Sequence, residues 1–344
     1  MKGKGISIAL ALALLVAPLF HSTAEGGATL ARIKTTGQLR CGVSDGIRGF
    51  SFREPDGRWS GMDADYCRAL AAAVLGDPGK VEYIPLAASA RFPSLKAGEI
   101  DVLVRNTTWT LEREAALEVM FPGVLFYDEQ RFLVPAGQNV SDLSRLNGAT
   151  ICVVKGTTHE MNMVEYFRAK GWNFQPLIVE NLDKAAEALF SGKCTAFTSE
   201  RPQLMAIRSR VPRGPEEYVM LPDAISKEPM GPVVRRGDDE WFTIVRWVLF
   251  ALIRAEEIGL TQSNVRSILN NPAEPAVLSW LEQDKIISKS LSIQPGWATR
   301  AVENTGNYGE MFDRNLGSQS TLKLERGLNR IWNQGGLMYV PPLH

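Results

Sequence analysis

Hydrophobic positions along the chain follow two alternating rhythms, and the same sequence of rhythms occurs twice. Leu39, Cys41 and Val43 alternate as a strand does. A glycine-rich loop separates them from Cys67, Leu70, Ala71 and Val74, which recur at helical spacing up to a stop at Gly76. A short strand is predicted over 81–84, then a helical turn carrying Phe92 and Leu95, a stop at Gly98 and an apolar strand over 100–104. The second copy starts with a strand over 151–154, turns at Gly156 and enters a helix with Met161, Val164 and Phe167 on one face. Leu182, Ala185, Ala186 and Leu189 then recur at helical spacing, Gly192 stops them, and a strand is predicted over 194–198. Between the copies lies an extended segment, 127–135, and after the second lies another, 226–234, with Pro229 and Pro232. The chain is thus expected to enter a second lobe and return to the first, where 241–255 predicts a strongly apolar helix. Two strand-and-helix lobes joined by two crossings make a hinge with a cleft, a geometry suited to closing on a small ligand.

The N-terminus departs from this pattern. Lys2 and Lys4 precede an apolar run over 6–17, and Ser22, Thr23 and Ala24 present small residues where a signal peptidase reads. Residues 1–24 are therefore expected to be a cleavable signal peptide, since the run is too short to span a bilayer at about 20 residues. No other stretch is long and apolar enough to span. The 344 residues carry 38 basic and 38 acidic groups. That balance supplies no field for nucleic acid or an anionic membrane. In an exported chain, four cysteines read as two disulfides with three possible pairings. Their settings favour Cys41 with Cys67 and Cys152 with Cys194, over buried thiols or a metal site. No cysteine pair has CxxC spacing, and the histidines are only His21, His159 and His344.

Candidate chemistry gathers where strands end. Thr110 is a suitable N-cap, which puts Arg113 in a first helical turn, where the helix dipole disfavours a cation unless something negative is near. Helix N–H groups, hydroxyls and a guanidinium fork describe a carboxylate site. The competing explanation is a surface pair with Glu112 or Glu114. In the second copy, Thr157 and Glu160 have capping-box spacing, and the same turn presents N–H donors beside Thr158 and His159. Glu200 follows the next strand and is suited to accept from an ammonium, or simply to be solvated. Phe50 and Phe52 are candidates to flank a ligand or to pack in a core. No phosphate-cradling glycine motif or metal-binding histidine pair is present, and no cofactor is expected.

These residues resemble the periplasmic amino-acid-binding proteins of ATP-binding-cassette importers, within solute-binding family 3 and its general L-amino-acid-binding branch. The resemblance is carried by LRCGVSDGIRGFSF from Leu39, DYCRALAAAVLGD from Asp65, RNTTWTLER from Arg105, GTTHE from Gly156 and ISKEPMGPVVRRGDDEWF from Ile225, followed by NYGEMFDRNLG and LERGLNRIWNQGGLMYVPP. It implies a type II two-lobed α/β fold, with two mixed sheets flanked by helices and joined by two hinge strands. Lobe 1 is expected over 25–131 and 231–344, and lobe 2 over 132–230. It implies that Arg113 holds a ligand α-carboxylate, that Asn106 and Thr108 contact the ammonium or carboxylate, and that Thr158 closes on the carboxylate. Phe50 would form an aromatic wall, with Thr157, His159 and Glu200 beside it. Glu200 stands where Asp is usual and His159 where Thr or Gln is common, which bears on substrate preference more than on the amino-acid class. An exported, monomeric binding protein that hands an L-amino acid to an inner-membrane permease is expected. The rival is a dehydratase or lyase on the same scaffold, with Glu200 or His159 as general acid or base. A chemosensory adaptor would share every pocket residue.

Overall fold

A computed structural model describes residues 27–342 except 45 and 139. The expected signal peptide and its cleavage point after Ala24 lie outside the described residues. In chain order, α1 (Ala28–Thr36) precedes β1 (Leu39–Ser44), and a two-stranded ribbon of β2 (Phe52–Arg53) and β3 (Trp59–Ser60) follows the glycine-rich loop. Then come α2 (Met62–Leu75), β4 (Val81–Leu86), α3 (Arg91–Lys96), β5 (Val102–Thr108), α4 (Leu111–Ala116), β6 (Val119–Met120) and β7 (Phe126–Asp128). A second sheet starts with β8 (Gln130–Pro135) and continues through β9 (Thr150–Val154), α5 (Thr158–Lys170), β10 (Gln175–Val179), α6 (Leu182–Phe190), β11 (Ala196–Glu200), α7 (Arg201–Arg208) and β12 (Tyr218–Met220). The chain returns through β13 (Glu228–Arg235) and closes with α8 (Asp239–Glu257), α9 (Val265–Asn270), α10 (Pro275–Ser290), α11 (Trp297–Thr305) and α12 (Tyr308–Asn315).

The repeated pattern in the sequence becomes a repeated topology. The first sheet has the order β4-β1-β5-β13-β6, with β7 also on β13, and the second has the order β10-β9-β11-β8-β12. In each, three parallel strands place the first at the centre and the third beside it. A strand from one of the crossings then docks antiparallel on the third, β13 on β5 and β8 on β11. Parallel strands need crossover connections, and here helices supply them. In such sheets ligands bind at the carboxyl ends of the strands, so the cleft is expected where β5, β9 and β11 end.

Four local differences from the sequence pattern have physical reasons. The strand predicted to end at residue 104 runs on to Thr108, because Arg105, Asn106, Thr107 and Thr108 are all buried and β13 pairs with Thr107 and Thr108. On α5 the buried residues are His159, Met163 and Phe167, whereas Met161 and Val164 are 51% and 40% exposed. The stripe thus runs at i, i+4, i+8 and includes a histidine that a hydrophobicity reading passes over. The edge strand β10 has no fully buried residue, and Leu177, Ile178 and Val179 form an apolar run too short to mark a strand by its periodicity. Cys194 lies two residues before β11, in a turn.

Both favoured disulfides are formed. Cys41 on β1 joins Cys67 on α2, and Cys152 on β9 joins Cys194, closing separations of 26 and 42 residues. By loop-closure entropy these contribute about 3.5 and 4 kcal/mol. The segment after β13 packs on the first lobe. Asp238 caps α8 by accepting from the Trp241 N–H at 3.1 Å, and Arg300 of α11 donates to the carbonyls of Ala72 and Ala73 at the end of α2. No helix among the described residues is long and apolar enough to cross a membrane.

Candidate functional site

A cavity opens between the lobes at the carboxyl ends of β5, β9 and β11. Arg91, Arg105, Asn106, Thr108 and Arg113 line it from the first lobe, and Val154, Thr157, Thr158, Glu200 and Gln203 from the second. Its empty volume is about 460 Å³, part of it open to solvent, and the two lobes approach each other closely across it. They touch backbone to backbone: a Cβ added at Gly156, where φ is +75°, would lie 3.0 Å from Ser89 Cα. Arg91 Nη2 donates across the same gap to the Gly156 carbonyl at 3.1 Å.

On the first-lobe side, Thr110 does cap α4, its hydroxyl accepting from the Arg113 N–H at 3.2 Å. Arg113 is 8% exposed, and its Nη1 donates to the Thr108 carbonyl at 2.8 Å, which rules out the solvated surface pair with Glu112 or Glu114. Burial lowers its pKa to about 10, against the opposing pull of Glu228 and Glu200. Asn106 has a positive φ of 32°, a conformation asparagine tolerates better than most residues. Its N–H donates to Asp63 Oδ2 at 3.0 Å, while its buried Oδ1 has no partner. Burial pushes Asp63 up to about 7, against the Asn106 N–H and the Arg105 charge.

On the second-lobe side, the capping box expected of Thr157 and Glu160 is not formed. Glu160 reaches back to the Gly156 N–H at 2.7 Å, but the Thr157 hydroxyl donates to the Val154 carbonyl at 2.7 Å and caps nothing. The first-turn N–H groups of α5 are left for whatever enters the cleft. His159 does not line the cavity. It is 1% exposed behind Glu200, with Nε2 3.3 Å from Glu200 Oε1 and neither ring nitrogen aligned for a hydrogen bond. Burial alone would lower His159 and raise Glu200, but their mutual attraction wins and shifts each toward its charged form, Glu200 to about 2. Ser199 and Gln203 also donate to Glu200 Oε2.

Seven of the eight residues named from sequence therefore meet at or directly behind one cavity, and Phe50 does not. Phe50 is 1% exposed in the first-lobe core, edge-on to Phe126 at 5.3 Å, and Ile47 of the same loop lines the cavity in its place. The aromatic ring near the guanidinium groups is Phe92, 5.1 Å from Arg91 and 5.4 Å from Arg113. Arg91, Arg105 and Glu228 were missed from sequence. Arg91 begins α3, so the dipole argument that singled out Arg113 applied to it as well. It is 2% exposed, burial lowers its pKa well below the ordinary value, and its Nε has no partner.

Two similar α/β lobes, two crossings and a buried polar cavity between them define a hinged ligand-binding protein. The family of bacterial extracellular solute-binding proteins, family 3, matches residues 39–263, and the chain belongs to it. It is 44% identical to the general L-amino acid-binding periplasmic protein AapJ of Rhizobium johnstonii over 345 residues, covering 100% of both chains. It is 41% identical to the glutamate/glutamine/aspartate/asparagine-binding protein BztA of Rhodobacter capsulatus over 342 residues, covering 99% of both. Among solved structures, a periplasmic binding protein of Brucella ovis with glutathione bound is 43% identical. It superposes with a TM-score of 0.88 and covers 92% of this chain and 99% of that one.

Proposed function

We propose that the protein is the periplasmic binding component of an ATP-binding-cassette importer, that it closes its lobes around an L-amino acid and that it delivers this ligand to an inner-membrane permease as a monomer. The observation that carries the reading is the polarity of the cavity. The Arg113 fork and the uncapped first turn of α5 face it as donors for an α-carboxylate, while the Asn106 Oδ1 and Glu200 face it as acceptors for an ammonium. Lobe 1 is then the discontinuous unit and lobe 2 the inserted one. An enzymatic role is disfavoured because His159, one rival general acid or base, is enclosed behind Glu200 and reaches no cavity wall, while Glu200, the other, lines the cavity but is held ionised, down to about 2, which makes it a weak base and a poor proton donor.

The charges favour acidic side chains. Arg91, Arg105 and Arg113 line the cavity beside Glu200, whereas Glu180 at its rim is exposed and paired with Lys155. The wall therefore carries an excess of positive charge, which a zwitterion leaves unmatched and an acidic amino acid offsets. A thermal-shift screen of the twenty amino acids, with glutathione added, tests this. L-glutamate and L-aspartate are expected to raise the midpoint most, and each ligand is expected to be recovered unaltered. No shift from any amino acid, or conversion of one, overturns the assignment.

A further inference from the structure

The second crossing places Glu228, the first residue of β13, between the lobes with 1% exposure. Its Oε2 accepts from the Thr108 hydroxyl at 2.5 Å and the Thr158 hydroxyl at 3.0 Å. Its Oε1 accepts from the Ser226 hydroxyl and the Asn162 Nδ2, both at 2.7 Å. Thr108 ends β5 in the first lobe, whereas Thr158 and Asn162 lie on α5 in the second. Asn162 Nδ2 also donates to Gln130 Oε1 at 2.9 Å, at the first crossing. One carboxylate thus gathers donors from both lobes and is tied to both crossings.

A carboxylate has no proton to give, so each threonine hydroxyl must turn its single proton to Glu228. What remains on those hydroxyls is a pair of acceptor lone pairs, and both residues line the cavity. Engaged in this way, Thr158 cannot donate to a ligand carboxylate, the role the family resemblance implied for it. On Glu200, meanwhile, Oε2 already accepts from Ser199 and Gln203, and Oε1 lies 3.3 Å from His159 Nε2.

We propose that Glu228 is a positioning residue for the ligand ammonium: it fixes the Thr108 and Thr158 hydroxyls as acceptors, with its own charge one hydroxyl behind, and completes this arrangement only when both lobes have closed. The inference rests on the reading of the cleft as an α-amino-acid site. Isothermal titration of the full mature protein with L-glutamate and with glutarate, which lacks only the amino group, tests it. Glu228→Gln is expected to weaken L-glutamate binding about tenfold or more and glutarate binding less than threefold. Glu228→Asp should restore part of the preference. Thr158→Val should reproduce the selective loss, and combining it with Glu228→Gln should add little, because both changes break the same chain of contacts. If Glu228→Gln does not fold, Thr158→Val carries the same comparison. Equal weakening of both compounds, no weakening, or additive effects of the two substitutions overturns the role of Glu228. Failure of the wild-type protein to bind any amino acid overturns the reading of the cleft itself, and this inference with it.

Discussion

Replacing Arg113 by alanine removes the group on which the carboxylate assignment depends. One of its five N–H donors is committed to the Thr108 carbonyl at 2.8 Å, and the rest of the fork remains for the cavity. A bidentate clamp provides two charge-assisted hydrogen bonds, each about 1.5–3 kcal/mol. Losing both therefore costs about 3 kcal/mol or more, a weakening of Kd of about a hundredfold or more. Lysine at this position keeps the charge but not the fork, and about tenfold is the expected loss. Stability should change much less. Losing the bond to Thr108 is opposed by removing a guanidinium that burial already penalises, as its lowered pKa of about 10 reports, so the midpoint should move by no more than about 4 °C. Isothermal titration of each variant with the amino acid most effective in the thermal-shift screen, beside scanning fluorimetry of the free proteins, measures both quantities. An Arg113→Ala protein that binds within threefold of wild type refutes the clamp.

Two buried acids give predictions with opposite signs. Glu200 is held below its ordinary 4.5, so its stabilisation is present above that pH and lost as pH falls toward about 2. His159 is held above its ordinary 6.5, so its share is present below 6.5 and lost as pH rises through the folded value. Their pair is whole between about 4.5 and 6.5, and the midpoint advantage of wild type over Glu200→Gln should be largest there and shrink on both sides. A constant difference across pH would show that the pair is not ionic. Asp63 is raised to about 7, so the unfolded chain sheds its proton first and stability falls between pH 4 and 7. Asp63→Asn still accepts the Asn106 N–H but does not titrate. Its midpoint should gain on wild type across that interval, and parallel pH profiles would contradict the burial argument.

Which parts of the molecule were legible in the sequence follows from where their signals lie. The duplicated β-α-β-α-β wiring was readable because β1 alternates, β5, β9 and β11 each start with or contain a short apolar run, and Gly76, Gly98 and Gly192 stop the helices they follow. The edge strand β10 and the true buried stripe of α5 were hidden, the first because it is half solvated and the second because it contains His159. Arg113 was readable because Thr110 fixes a helix start beside it. Glu228 carried no local signal at all. Its importance comes from Thr108, Thr158 and Asn162, which lie 120, 70 and 66 residues away and meet it only once both lobes exist.

The contact of Gly156 with Ser89 gives the closing stroke a fixed end point. Side chains yield by changing rotamer, but here one main chain rests against another with no room for even a methyl group between them. Such a buffer cannot be compressed further by a tighter-binding ligand, so every cargo small enough to let it seat arrives in a lobe pair of the same outline. Sorting is then confined to the cavity wall, and the outer face offered to a docking partner carries one message, loaded, without spelling out what the load is.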